Sequence, residues 1–136
     1  MTKPPADLLE RAIGARSNAY NPYSKFAVGA AVLTNCGQTF SGCNIENASY
    51  GLTICAERVA IFHAVSAGAS KIVELAVSCQ PTHLTASVEG MMPCGACLQV
   101  MAEFGAPDLI IHVDRVGTYK LRELLPHAFF LSQISK

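Results

Sequence analysis

The chain has 136 residues, of which 51% are hydrophobic and 15% are charged. Ten basic side chains balance ten acidic ones, so the formal net charge at pH 7 is zero. Because a protein that holds a polyphosphate backbone needs a basic surface, this balance argues against nucleic acid and favours a small or neutral ligand. The length predicts one domain over residues 1–136, and no apolar run approaches the roughly 18 residues that indicate a membrane span.

At the start of the chain, Pro4, Pro5 and Asp7 stand where a secretory signal peptide would need an apolar core. We therefore expect a soluble, cytoplasmic protein in a reducing compartment, where thiols stay reduced. In such a protein the six cysteines are more often metal ligands than disulfide partners.

The first half of the chain predicts a helix followed by a β-hairpin. Residues 6–20 carry a helical stripe of leucine, isoleucine and alanine, and the Asn21-Pro22 dipeptide should end that helix. Phe26 to Thr34 is short, apolar and β-rich, residues 35–37 (NCG) indicate a turn, and Thr39 to Asn44 returns as a second strand.

The second half predicts helices alternating with buried strands. Cys55 to Ala67 is apolar or small at nearly every position, which indicates a helix buried on most sides, with Thr53 as its N-cap and Gly68 as its stop. The remaining predicted elements are a strand over Ile72–Ser78, a helix over Cys94–Phe104, a strand over Leu109–Val113 and a short helix over Leu121–Leu125. Strands that alternate with helices after a hairpin favour a three-layer α/β sandwich on a mixed sheet.

Two cysteine-containing segments fall where two of these helices begin: CAE, which starts at Cys55, and PCGAC, which starts at Pro93. Cys94 and Cys97 are three residues apart, so their sulfurs lie on one helical face and can share an ion. Helix N-termini also favour thiolates, because their unpaired N–H groups and dipole stabilise negative charge. A third thiolate from Cys55 would leave one tetrahedral position open, which is the pattern of a catalytic zinc site.

Glu57 follows Cys55 by two residues, so it lies close to the predicted zinc without having to bind it. That position suits a carboxylate that carries protons for a water molecule activated at the metal. Zinc with three thiolates is net negative and needs positive charge nearby. The helix N-termini supply part of that charge, and Arg58 is the side chain best placed to donate to the cysteine sulfurs.

Each segment alone is weak evidence. A lone C-x-x-C also occurs in redox pairs, in half of a structural zinc site and as two buried thiols. Together, at two helix starts about forty residues apart, the two segments match the signature of zinc deaminases. We expect Cys36, Cys43 and Cys79 to be reduced thiols, and we expect none of the four histidines to be a fourth ligand.

With these residues in place, the chain closely resembles the small homotetrameric cytidine deaminases over nearly its whole length. The segments that carry the resemblance are YNPYSKFAVGAA from Tyr20, GCNIENASY from Gly42, CAER from Cys55, PCGAC from Pro93 and ELLPHAF from Glu123. The resemblance implies a three-layer α/β/α sandwich on a five-stranded mixed sheet. It also implies a homotetramer with one Zn²⁺ per subunit.

The resemblance further implies the reaction, a hydrolysis of the C–N bond of a cyclic amidine in pyrimidine salvage. Cytidine and 2′-deoxycytidine would give uridine and 2′-deoxyuridine with release of ammonia. Water activated at the zinc would attack C4 of the pyrimidine, while Glu57 passes its proton to N3 and then helps to protonate the leaving amine. Phe129 would cover the base in a neighbouring subunit's active site, and Tyr50 would lie near the same subunit junction.

Four more residues match the family's substrate contacts. Asn44 and Glu46 correspond to its ribose-binding pair, and two residues apart at a strand end they face the same way and can share a sugar hydroxyl. Phe26 corresponds to the aromatic residue that lines the nucleoside pocket. The backbone N–H of Ala56 would meet the edge of the pyrimidine.

The chain departs from the family at Leu98, because members usually have arginine directly after the C-x-x-C. This leaves more of the charge compensation to Arg58, or it indicates altered zinc reactivity or another substrate, such as the modified nucleoside blasticidin S. A non-catalytic zinc-binding scaffold is a second alternative, but a structural site has no use for an uncoordinated Glu57. A nucleic-acid editing enzyme would need a basic and aromatic strand-binding groove, for which this neutral chain offers little material.

Overall fold

A computed structural model describes residues 7–131, so residue 6, where the first helix was predicted to begin, lies outside the described residues. The elements are α1 (Leu8–Ala15), β1 (Val28–Thr34), β2 (Thr39–Cys43), α2 (Ala56–Ser66), β3 (Ile72–Cys79), α3 (Gly95–Phe104), β4 (Ile110–Val113), β5 (Gly117–Lys120) and α4 (Leu121–Leu124). None of the helices within residues 7–131 is long and apolar enough to cross a membrane.

The five strands form one mixed sheet in the order β2-β1-β3-β4-β5. β1 and β2 make the predicted antiparallel hairpin, and β1 also pairs antiparallel with β3. β3 and β4 are parallel and are joined through α3, whereas β5 returns antiparallel to β4 at the edge.

Helices cover both faces of this sheet. On one face, Leu8 and Ala12 of α1 pack against Ala31 of β1 and Ala76 of β3. On the other face, α2 and α3 cover the residues that alternate with these along the strands, including Val32. The architecture is therefore the predicted three-layer α/β/α sandwich on a five-stranded mixed sheet.

The close approach of α2 to β2 fixes where the start of α2 lies. Ala56, Ala60 and Ala64, spaced four apart, are fully buried on the inner face of the helix. A Cβ atom added at Gly42 of β2 would lie only 2.4 Å from the backbone nitrogen of Ala60, so a glycine is needed at this contact. The helix ends as predicted at Gly68, whose φ of +103° is the left-handed conformation that terminates helices.

Three details of the prediction were wrong. The first helix ends at Ala15 and not at residue 20, because a 3₁₀ turn follows in which the Ser17 hydroxyl donates to the Gly14 carbonyl. Thr53 is not the N-cap of α2; its hydroxyl accepts the backbone N–H of Asn47, and Cys55 occupies the cap position. The strand pattern also missed β5.

Candidate active site

The three predicted ligands converge where α2 and α3 begin. Cys55 is the N-cap of α2, Cys94 is the N-cap of α3, and Cys97 lies in the first turn of α3. The Sγ of Cys94 lies 3.9 Å from that of Cys55 and 3.5 Å from that of Cys97. All three sulfurs lie within 4.8 Å of one another, and all six cysteines of the chain are free thiols.

These separations fit a tetrahedral zinc ion. A Zn–S bond of about 2.3 Å places neighbouring sulfurs of a tetrahedron about 3.8 Å apart. Neither cap cysteine uses its sulfur to cap its own helix, so both sulfurs can bind a cation. Cys97 is buried, Cys55 is half-buried and Cys94 is exposed, so the cluster opens to the surface on the side of Cys94.

The electrostatics of the cluster also call for a cation. The hydrogen bond from Cys97 lowers the pKa of Cys55 to about 5, and Arg58 contributes to this lowering. The same hydrogen bond and burial raise the pKa of Cys97. Three sulfurs at this spacing ionise together only when a cation offsets their repulsion, and a set of thiolates is a donor set that zinc prefers.

The predicted contact of Arg58 with the cluster is present. Its Nη2 donates to the Sγ of Cys55 at 3.4 Å, and this bond raises the pKa of the guanidinium, which stays ionised. Leu98 is only 8% exposed and packs within the core, so it adds hydrocarbon and no charge. Among the described residues, Arg58 is thus the guanidinium in contact with Cys55, a position from which it can offset thiolate charge.

Glu57 is a buried carboxyl beside the cluster and outside the ligand set. It occupies the first turn of α2 and is 5% exposed. Burial raises the pKa of Glu57 to about 7, and the charge of Cys55 adds to the rise. A carboxyl in this position can hold and return a proton next to the metal. Ala56, which precedes it, is fully buried at the first helical position.

Asn44 lies just beyond the end of β2, and its amide holds the backbone around Phe26. The Oδ1 of Asn44 accepts the N–H of Val28 at 2.9 Å, and its Nδ2 donates to the carbonyl of Phe26 at 2.7 Å. Phe26 is half-buried and packs against the main core. The amide therefore fixes the segment that carries this ring, and it keeps one N–H and one oxygen lone pair for another partner.

Glu46, two residues after Asn44, holds the part of this loop that precedes Phe26. Its Oε1 accepts the N–H groups of Tyr23 at 3.0 Å and Ser24 at 3.1 Å, and its Oε2 accepts the Ser24 hydroxyl. Burial alone would raise the pKa of Glu46, but the hydrogen bonds from Ser24 and Tyr23 outweigh it and lower that pKa. The sequence analysis missed Ser24, which lies inside the YNPYSKFAVGAA segment but carries no metal-binding or acid–base signal of its own.

Tyr50 and Phe129, the two residues expected at a subunit junction, are on the surface. Tyr50 is 64% exposed, and Phe129 is 69% exposed. Phe129 lines a groove between α3, α4 and the segment after α4, where its carbonyl accepts from Gln99 at 2.7 Å. None of the three cluster cysteines lines that groove, so within residues 7–131 the chain does not place Phe129 over its own cluster.

The other cysteines and the histidines take no part in the cluster. Cys36 is exposed, Cys43 is half-buried and Cys79 is buried, each as the free thiol that was predicted. Burial raises the pKa of Cys79 to about 11. His63 contacts a carbonyl of β2, and His112 is hydrogen-bonded between β3 and β5, so both are structural.

Known proteins match this chain in sequence and in structure. Residues 3–113 match the family described as the cytidine and deoxycytidylate deaminase zinc-binding region. A cytidine deaminase from Halalkalibacterium halodurans is 45% identical over 126 residues, which are 90% of this chain and 91% of that protein. The crystal structure of cytidine deaminase from Burkholderia pseudomallei is 45% identical with a TM-score of 0.80, covering 95% of this chain and all of that one.

A blasticidin-S deaminase from Bacillus cereus is more distant, with 31% identity over 108 residues and 76% of each chain covered. The matched family region contains Cys55, Cys94 and Cys97, so the sulfur cluster and the family's zinc-binding region coincide.

Proposed function

Because the chain belongs to the cytidine and deoxycytidylate deaminase family, we propose that it hydrolyses cytidine and 2′-deoxycytidine to uridine and 2′-deoxyuridine with release of ammonia. The observation that carries this proposal is the cluster of three cysteine sulfurs beside a buried carboxyl that is not a ligand. Relatives named cytidine deaminases are 36% to 45% identical to this chain, against 31% for the blasticidin-S deaminase. The identities therefore favour cytidine over the modified nucleoside.

Cys55, Cys94 and Cys97 would hold one Zn²⁺, which supplies the Lewis acidity that lets water lose a proton near neutral pH. Glu57 then takes a proton from the attacking water and delivers it to N3 of the pyrimidine. As the C4–N bond breaks, Glu57 takes the second proton of the added water from the hydroxyl at C4 and delivers it to the departing amine, so that water and the amidine become a carbonyl and ammonia. Its burial excludes competing solvent protons from this transfer.

The hydrogen-bonding capacity left at the loop suits a single sugar hydroxyl. Asn44 retains one donor, and the Oε2 of Glu46 retains one acceptor position beside the Ser24 hydroxyl. One hydroxyl that accepts from Asn44 and donates to Glu46 would satisfy both groups. The 3′-hydroxyl is present in ribose and in deoxyribose, so this pairing supports the use of both nucleosides. The Phe26 ring and the Ala56 N–H complete the proposed contacts.

We further propose that the chain is a single domain that works as a homotetramer, in which Phe129 of one subunit covers the base bound to a neighbour and Tyr50 lies at the same junction. The exposure of these aromatic rings supports the proposal, since large exposed apolar side chains mark interaction surfaces. We also propose a role in pyrimidine salvage and a cytoplasmic location. The free thiols of the cluster support the location, because thiols stay reduced in a reducing compartment.

The replacement Glu57→Gln tests the proposed mechanism while keeping the size of a buried side chain. We expect the loss of turnover on cytidine to be between about 10²- and 10⁴-fold, because general acid–base catalysis is removed. Zinc content and melting temperature should stay at the wild-type level. The measurement is ultraviolet absorbance loss with cytidine, 2′-deoxycytidine and blasticidin S, with ammonia and zinc determined on the same sample.

The matched control is Glu10→Gln, because Glu10 is an exposed glutamate in the first turn of α1 and should not affect turnover. Wild-type protein that binds zinc but does not deaminate cytidine would contradict the substrate proposal. Full activity in Glu57→Gln would contradict the proton-transfer role.

A further inference from the structure

The backbone segment that carries Phe26 is held from two sides. On one side Asn44 accepts the N–H of Val28 and donates to the Phe26 carbonyl. On the other side lies Gln80, the residue that directly follows β3. Gln80 belongs to a stretch, residues 80–92, to which the sequence analysis assigned no role.

Gln80 makes two hydrogen bonds with Ala27. Its side-chain Oε1 accepts the N–H of Ala27 at 2.9 Å, and its own backbone N–H donates to the carbonyl of Ala27 at 2.8 Å. Both backbone polar groups of Ala27 are therefore satisfied by Gln80. Ala27 lies outside the regular pairing of β1, so the glutamine amide takes the place of a neighbouring strand.

Gln80 is itself firmly placed by its neighbours. The carbonyl of Cys79, just before it, accepts from Nη1 of Arg16 at 3.1 Å and from Nη2 of Arg115. The carbonyl of Gln80 accepts from the Thr85 hydroxyl at 3.4 Å. Since the 3₁₀ turn after α1, the β4–β5 turn and the loop after β3 all hold this point of the chain, Gln80 gives Ala27 a defined position.

We propose that Gln80 is a positioning residue for the nucleoside pocket, acting through the backbone of Ala27 on the ring of Phe26. This inference rests on the proposed function, in which Phe26 lines the pocket. With Gln80 and Asn44 both in place, the ring stands as a preformed wall and little ordering is left for substrate binding to complete. Gln80 does not contact Glu57 or the three sulfurs, so it acts on binding and not on proton transfer.

The test compares a substitution that removes the acceptor with one that keeps it. Gln80→Leu removes the oxygen that accepts from Ala27, whereas Gln80→Glu keeps an oxygen at that place. We expect Gln80→Leu to raise KM for cytidine about three- to tenfold with kcat within about twofold of wild type, because the ring contacts substrate and transition state alike. Gln80→Glu should restore KM to within about twofold of wild type.

A control for general loss of stability is Thr118→Val, which removes the hydroxyl that bonds His112 on the far half of the sheet. It should lower the melting temperature and leave KM unchanged. Amide hydrogen exchange at Ala27 provides a readout that needs no turnover, and it should accelerate about tenfold in Gln80→Leu but not in Gln80→Glu.

Wild-type KM in Gln80→Leu, a loss confined to kcat, or a failure of Gln80→Glu to rescue would each overturn the inference, as would unchanged exchange at Ala27. Failure of the proposed function is distinguishable, since wild-type protein would then not turn over cytidine. In that case faster exchange at Ala27 would support the structural contact, and unchanged exchange would overturn it.

Discussion

Arg58 and Leu98 both lie next to cysteines of the cluster, but Arg58 contributes a charge and Leu98 contributes apolar packing. Arg58 brings a charge directly to Cys55, and a hydrogen bond to a charged group contributes about 1.5–3 kcal/mol. Leu98 follows Cys97 in α3 and turns its side chain into the core. The family's usual arginine at this position is thus replaced here by packing, and the electrostatic task falls on Arg58 and the two helix N-termini.

Leu98→Arg should therefore weaken the protein without improving its chemistry. The side chain at position 98 packs among apolar core residues, where a guanidinium would lose its hydration, and we expect the free energy of unfolding to fall by about 2–4 kcal/mol. Chemical denaturation and kcat on cytidine measure the two effects. Leu98→Met, which conserves volume, should cost less than about 1.5 kcal/mol. A higher kcat at unchanged stability would mean that an arginine here reaches the sulfurs, contrary to this view.

At the scale of elements, the placement of α2 on β2 sets the geometry of the site. Gly42 touches the backbone of α2 at Ala60, one turn after Cys55 and Glu57. A side chain at position 42 would have to push the helix away from the sheet. Both the sulfur of Cys55 and the carboxyl of Glu57 would move with it, because they are carried by the same first turn.

Gly42→Ala should consequently reduce both stability and activity. Overpacking against backbone costs about 1–3 kcal/mol, and a displacement near 1 Å at a catalytic group costs about 10²-fold in rate. Denaturant melts and kcat are the measurements. The control is Gly14→Ala in α1, where an added Cβ meets nothing within 4 Å and a gain of up to about 1 kcal/mol is expected. Wild-type kcat in Gly42→Ala would show that α2 can accommodate the added Cβ without displacing Cys55 and Glu57, contrary to this expectation.

Whether a helix or strand can be predicted from the sequence depends on how apolar it is. Buried helices and strands were predictable because they form nearly continuous runs of apolar or small residues, as in α2 and β3. β5 was not, since Gly117–Lys120 (GTYK) is polar, partly exposed and held by backbone pairing with β4. The zinc ligands were predictable because they follow local spacing rules. Ser24 and Gln80 were not, because each bonds a group that only the fold brings near. Ser24 donates to the Glu46 carboxylate, and Gln80 accepts from the Ala27 N–H.

At the scale of the whole molecule, several large apolar side chains are exposed on the surface of the isolated chain. Ile45, Leu52 and Phe62 line a shallow cavity of about 370 Å³ and are each at least 43% exposed. Three consecutive residues after α4, Phe129 to Leu131, are each more than half exposed. Such surfaces are typical of subunit interfaces, which agrees with the proposed homotetramer.

Mixing two inactive variants tests whether subunits share active sites. Glu57→Gln lacks the proton carrier, and we expect Phe129→Ala to lack the ring that covers the neighbour's base. In hybrid oligomers some sites would combine Glu57 from one chain with Phe129 from another. Co-expressed and co-purified variants should therefore show several times the activity of either parent, measured as cytidine turnover per zinc.

The control pair is Glu57→Gln with Cys55→Ser, because both residues lie on the same α2 and no exchange of subunits can bring the intact pair together. That mixture should stay inactive. If the first pair recovers nothing while Phe129→Ala alone is fully active, each chain works with its own residues and the proposal of shared sites is wrong.

Cysteine stands at the cap position of both α2 and α3, where other helices begin with serine, threonine or aspartate. Two of the three residues that would hold the ion, Cys55 and Cys94, are therefore also the residues at which two helices begin, and they are 39 residues apart in the chain. A single ion can therefore be bound by all three sulfurs only when both helices begin at the correct residue and their N-termini lie together. A chain in which either helix has formed incorrectly would misplace at least one sulfur and would hold the metal less tightly.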